Sequence, residues 1–170
     1  MKIKNIICLS VAAFLFSCGN DYDLDENFDL TDLPGYVAFD APGLSASLPD
    51  VEVTEDAGTA SLTIENPTGT LSDITIEYSF GGDAAFGVDF NVSGASASGG
   101  TIVLEPKESD FQNPDRVDLL VELLTDGVAD GNKTLTITLE SASNDDGVIA
   151  VGRGGTDILR SANIIISDID

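Results

Sequence analysis

The chain has 170 residues, 30 of them acidic and 7 basic, for a formal net charge of −23, and it contains no histidine, no tryptophan and two cysteines. Such a surface repels nucleic acid and anionic headgroups and favours cations. Without imidazole there is no Ser-His-Asp or Cys-His nucleophile and no zinc site of His/Cys type, so a metal here would be a hard cation held by oxygen.

Lys2 and Lys4 precede an apolar run over residues 6–16. A spanning helix needs roughly 20 apolar residues, so this shorter run reads as the core of a signal peptide. It closes on Leu15-Phe16-Ser17-Cys18, which resembles a bacterial lipobox: a large apolar residue, then a small one directly before the cysteine. Residues 1–17 are expected to be removed, leaving Cys18 to carry lipid on its thiol and its new amine. At about 0.8 kcal/mol per buried methylene, several chains anchor far more firmly than one. The other cysteine, Cys8, leaves with the signal peptide, so no intramolecular disulfide remains. Lys2 and Lys4 leave too, so 5 basic residues face all 30 acidic ones and the net charge becomes −25.

Residues 18–35 form the next segment, in which frequent carboxylates surround scattered single apolar residues without a period, as in an extended, solvated tether. An acidic stretch directly after a lipobox cysteine also resembles the lipoprotein export signal of Bacteroidetes, which implies an outer-membrane lipoprotein displayed on the cell surface. A plain solvated spacer has the same composition.

From residue 36 to 170 the pattern is that of one all-β domain, with short β-branched segments separated by Gly, Asp, Asn and Pro and no helical period. Strands are expected at 51–54, 60–64, 74–78, 101–104, 117–124, 134–139 and 162–167, with a pairing segment at 36–39 and a short extended piece at 90–92. Leu62 and Ile64, then Ile74, Ile76 and Tyr78, then Val117, Leu119, Val121 and Leu123, then Leu135, Ile137 and Leu139 alternate inward. About seven strands at this spacing predict a Greek-key antiparallel β-sandwich of immunoglobulin/cadherin-like type.

If consecutive strands reverse direction, the exits at 54, 78, 124 and 167 share one pole. Each is followed by carboxylates: Glu55 and Asp56, Asp83 and Asp89, Asp126 and Asp130, Asp168 and Asp170. Calcium takes about six to eight oxygens, which four converging loops can supply without a contiguous motif. The opposite pole also carries acid, at Asp73, Asp145 and Asp146, and Asp and Asn are ordinary turn residues, so parity alone leaves the metal open.

Several stretches resemble the Calx-beta domain family over about residues 51–170. Val53-Thr54-Glu55-Asp56-Ala57-Gly58 is similar to its opening strand and acidic turn. Gly82-Asp83-Ala84-Ala85-Phe86-Gly87-Val88-Asp89-Phe90 is similar to its DGTA-x-x-G-x-D-Y stretch, and Gly100-Thr101-Ile102-Val103-Leu104-Glu105-Pro106 to its GTLTF-x-P. Leu135-Thr136-Ile137-Thr138-Leu139 and Ile165-Ile166-Ser167-Asp168-Ile169-Asp170 match its last two strands. The resemblance implies calcium, with Glu55, Asp89, Asp126, Asp130, Asp168 and Asp170 as ligands.

The chain departs from the family's richest acidic pattern at Thr125-Asp126-Gly127 and at Asp130-Gly131-Asn132-Lys133, and Ile169 interrupts the terminal triplet. Fewer anionic oxygens and the Lys133 ammonium imply a weak to moderate site. Extracellular calcium modules work at about 10⁻⁴–10⁻³ M. Residues 109–116 read as an insertion in the turn before 117, at the other pole. Gly152-Arg153-Gly154-Gly155 lacks the context of a phosphate loop.

The expected function is a surface-anchored, calcium-binding interaction or adhesion module without catalysis, held to the membrane at Cys18, with an extracellular protein or glycan as partner. The alternative is a glycan-binding accessory lipoprotein of a polysaccharide-uptake system, for which Tyr36, Tyr78 and exposed phenylalanines would form a flat platform. A small hydrolase using paired carboxylates is the reading set aside, since the chain has no tryptophan and only 3 tyrosines.

Overall fold

The computed structural model describes residues 35–43, 45–106, 114–125 and 127–169. Cys18, Asp126 and Asp170 lie outside the described residues, as do the expected signal peptide and nearly all of the tether. Pro34–Asp170 form a compact unit.

Its strands are β1 (Tyr36–Phe39), β2 (Val51–Thr54), β3 (Thr59–Asn66), β4 (Ile74–Gly82), β5 (Phe90–Asn91), β6 (Gly100–Leu104), β7 (Asp115–Leu123), β8 (Lys133–Asn144), β9 (Gly147–Val151) and β10 (Ser161–Ser167). One layer has the order β1-β3-β7-β5 and the other β2-β10-β8-β4-β6. β9 folds back from β8 and pairs β1, joining the layers along one edge. The domain is the expected all-β sandwich, but the strand count and the pairing need correction. Among the described residues there are ten strands rather than about seven, and two pairs are parallel, β2 with β10 and β1 with β9. The physical reason is that β1 and β2 run the same way, with residues 40–50 carrying the chain from one layer to the other. Each therefore lies beside a later strand of the same direction.

The inward residues fill the space between the layers. Leu62 and Ile64, Ile74, Ile76 and Tyr78, Leu119, Val121 and Leu123, Leu135, Ile137 and Leu139 are all buried, joined by Ile164 and Ile166 of β10. Each such aliphatic side chain is worth about 1.5–3 kcal/mol removed from water. That burial fixes the register, because slipping a strand by one residue would turn its whole apolar set outward.

Register then fixes the poles. Thr54 lies beside Ser167, so β2 and β10 exit together. Gly82 at the end of β4 pairs Leu135 near the start of β8, whose Lys133 pairs Ile166. Glu122 near the end of β7 pairs Thr59 at the start of β3. The exits of β2, β4, β7 and β10 thus share one pole, as strand parity required. At the opposite, N-terminal pole Gly35 leads into β1, its carbonyl accepting the Ala150 N–H at 3.3 Å.

Candidate functional site

Among the described residues, four loops and turns build the acidic pole. Directly after β2 the chain makes one 3-10 turn, Glu55–Ala57, and the acidic residue Glu55 is buried there. Its Oε1 accepts the Ile169 N–H at 3.4 Å, so the turn after β2 holds the segment after β10. Asp56 is exposed and accepts the Thr54 hydroxyl at 2.6 Å. Asp168 Oδ2 accepts the Gly131 N–H at 2.6 Å, while its own N–H donates to Asn132 Oδ1 at 3.3 Å. The exits of β2 and β10 and the approach to β8 are thereby laced into one patch.

The loop after β4 is the fourth contributor. Gly82 has φ +91 and lies so close to the neighbouring strand that a Cβ there would meet the Thr134 carbonyl oxygen at 2.0 Å, which leaves glycine as the residue that fits. The next residue clamps the same neighbour: Asp83 N–H donates to Thr134 O at 2.9 Å, and Asp83 Oδ1 accepts the Thr134 N–H at 2.5 Å. The loop then curls so that Asp89 Oδ2 accepts the Ala85 N–H at 2.5 Å and Gly87 N–H donates to Phe90 O at 2.7 Å. Beneath it Phe86 packs edge-on against Phe90 at 5.7 Å and stacks on Phe80 at 5.8 Å, a rigid apolar floor. Leu124 N–H donates to the Asp89 carbonyl at 3.0 Å, which brings this loop to the exit of β7.

Lys133, the first residue of β8, stands among these acids. Its Nζ lies 2.8 Å from Asp130 Oδ2. The hydrogen bond to Asp130, then the charges of Asp130, Asp89 and Asp83, raise its pKa above the ordinary lysine value despite some desolvation. The ammonium therefore keeps its charge and serves three carboxylates together.

Of the six residues expected as ligands, Glu55, Asp89, Asp130 and Asp168 are at this pole, while Asp126 and Asp170 lie outside the described residues. Asp83, which parity had put here, belongs to the same patch. The donor chemistry, carboxylates alone, suits a hard cation. The described carboxylates do not complete a site by themselves: no group of three or more that could hold a metal occurs among the described residues. Each gives an oxygen to a backbone N–H or, for Asp130, to Lys133. Sequence reasoning could not see those amides, because a backbone donor leaves no mark in residue identity.

Among the described residues, the tyrosines and phenylalanines do not form the aromatic platform of the glycan reading. Tyr78 is buried, and Tyr36 is half-buried against Ala38, Ala41 and Leu159. Phe39 and Phe90 are buried, and Phe80 and Phe86 are half-buried against the core. These rings point inward because the alternation that fills the core claims them.

A second charged cluster lies outside the acidic pole. Arg116 Nε is 2.9 Å from Asp40 Oδ2, and its Nη2 is 3.4 Å from Glu65 Oε2. Burial, then the charge of Asp40, pushes the Glu65 carboxyl above its usual range, with Arg116 and Arg153 pulling the other way.

This geometry defines a β-sandwich with one loop-built acidic end. No family model matches the chain, and no curated protein matches its sequence. Solved structures do match it in fold. The apo-form Calx CBD1 domain aligns with a TM-score of 0.56 at 19% identity, over 81% of this chain and 99% of that one. The Calx CBD2 domain aligns at 0.54 and 15% identity, over 78% and 86%. The calcium binding domain CBD12 of CALX1.1 aligns at 0.53 and 21% identity, over 80% of this chain and 44% of that one. At these identities the likeness is one of fold.

Proposed function

We propose that this chain is a non-catalytic interaction module of Calx-beta type, held by lipid at Cys18 on the outer face of a bacterial outer membrane, whose acidic pole takes a calcium ion. The observation that carries the metal is the convergence of Glu55, Asp83, Asp89, Asp130 and Asp168 from separate strand ends onto one pole, where a lysine already supplies positive charge. Asp126 and Asp170, next to this patch in sequence, would complete the oxygen set. The fold shared with a domain named for calcium binding supports the same reading. A cation there relieves like-charge repulsion among these loops. The protein partner or glycan would then meet a stiffened loop surface.

The test is thermal unfolding of the mature chain with calcium and with chelator. For a dissociation constant of about 10⁻⁴–10⁻³ M, 10 mM calcium stabilises the folded state by roughly 1.4–2.7 kcal/mol. In a domain of this size that is a midpoint rise of about 3–10 °C. An unchanged midpoint at 10 mM calcium removes the ion from the proposal. The lipid is tested separately, by the mass of the processed protein.

A further inference from the structure

We propose that the free edge of β2, Val51–Thr54, is a docking site for an extended segment of a partner protein in which aliphatic and basic residues alternate, added to the sheet as a further strand. This deepens the interaction-module reading by naming the partner's chemistry, and it needs neither the calcium ion nor the lipid.

Among the described residues β2, β5 and β6 each pair with one neighbouring strand only. β5 has two residues, and β6 carries no charge from Gly100 to Leu104, so neither specifies what it would take. β2 is different. β10 occupies one side of it, and no backbone group of the described residues bonds to the other. A strand paired on one side turns the N–H and C=O of every second residue the opposite way, so half of this four-residue strand presents donors and acceptors to a newcomer.

The two faces of β2 set the newcomer's sequence. Glu52 and Thr54 are exposed on the outer face, while Val51 and Val53 pack against the core and are only half-buried. Residues directly opposite on paired strands share a face. An aliphatic residue set against Val51 or Val53 would extend their burial, and a basic one set against Glu52 would pair with its carboxylate. A groove of about 470 Å³, lined by Glu52, Val53, Thr54, Ala57 and Ser167, gives a long side chain room there.

The surrounding charge selects the same sign. Asp50, Glu52, Glu55 and Asp56 fall within seven residues, and no Lys or Arg occurs from 45 to 58. A second copy would bring Asp50 and Glu52 against their own kind. Charge on an edge strand guards it against self-pairing, and here the same charge admits a strand of opposite sign.

The probe is a capped peptide alternating valine with lysine, titrated in chelator into the isotope-labelled mature chain and read by amide shifts and hydrogen exchange. Shifts should centre on residues 51–54, and amide exchange there should slow several-fold. Backbone N-methylation of the peptide supplies a readout that charge attraction alone would not move. Methyl groups on the alternate amides along one edge of the peptide should abolish binding, and those along its other edge should leave it. Glu52→Lys, at an exposed position, should keep the fold and narrow the preference for the lysine peptide over a valine–glutamate one several-fold. No shift at 51–54 at millimolar peptide, equal effects of the two N-methyl sets, or an unchanged preference in Glu52→Lys overturns the proposal. So does concentration-dependent dimerisation of the free chain through 51–54, which would make a second copy the occupant. The calcium reading is scored apart: peptide shifts in chelator with no calcium-dependent rise in midpoint leave the edge standing and remove the ion. A calcium-dependent rise without peptide shifts does the reverse.

Discussion

Lys133 Nζ and Asp130 Oδ2 lie 2.8 Å apart, and the same ammonium feels Asp83 and Asp89. One covalently attached cation therefore sits where a mobile one would be drawn, and the two would compete for the same carboxylates.

Lys133→Ala should expose that competition. Removing the ammonium restores like-charge repulsion among Asp83, Asp89 and Asp130, so the variant should melt lower than the parent in chelator. It should also gain more from calcium, with a several-fold tighter dissociation constant by calorimetry. A variant that melts lower and shows no tighter binding would place the lysine's role in structure alone.

Gly82→Ala tests the strand contact that sets the Asp83 clamp. The substitution puts Cβ 2.0 Å from the Thr134 carbonyl oxygen at φ +91, and the backbone has to move. A loss above about 2 kcal/mol in urea unfolding is expected. Gly127→Ala is the comparison, since it shares a positive φ of +73 but meets nothing within 4 Å. It should cost only the left-handed strain of about 1–2 kcal/mol.

The register of β7 makes adjacent leucines unequal. Leu119 is 3% exposed and Leu120 59%. Leu119→Ala should cost about 2–5 kcal/mol through lost burial and the cavity left behind. Leu120→Ala should stay within about 0.5 kcal/mol of the parent. Equal losses would mean that the strand faces are misassigned.

Glu65 gives a pH signature with a definite sign. Its folded pKa is raised above the ordinary glutamate value of 4.5 by burial and by Asp40, so the folded state holds that proton more tightly than the unfolded chain does. The stabilisation is full below pH 4.5 and is lost as pH rises through the raised value. The difference in unfolding free energy between the parent and Glu65→Gln should therefore shift against the parent across that window and level off above it. A flat difference curve from pH 4 to pH 7 would contradict the assignment.

The sandwich was legible because its core strands carry uninterrupted alternation, as Leu119, Val121 and Leu123 do on β7. The limits of legibility are equally physical. β8 continues to Asn144, but the alternation from Leu135 through Leu139 stops because pairing with β4 skips Glu140: Glu77 faces Ser141 and Tyr78 faces Leu139. That extra residue reverses the phase, so the next buried position is Ala142 and the pattern reads as an ending. β9 left no pattern, because no residue of it is fully buried. At the acidic pole, parity alone brought Glu55, Asp83, Asp89, Asp130 and Asp168 together. It could not foresee that Gly131, Thr134, Ala85 and Ile169 amides would engage four of them.

The placement of Gly35 and Ser167 at opposite poles has a mechanical meaning. Tension applied between the Gly35 end and the far tip would run lengthwise down the strands. β1 takes that load first, and its hydrogen bonds to β3 and β9 lie across the line of pull. They are strained in shear, all at once, instead of being unzipped one by one. A four-residue strand flanked on both sides is in that sense the molecule's grip under traction.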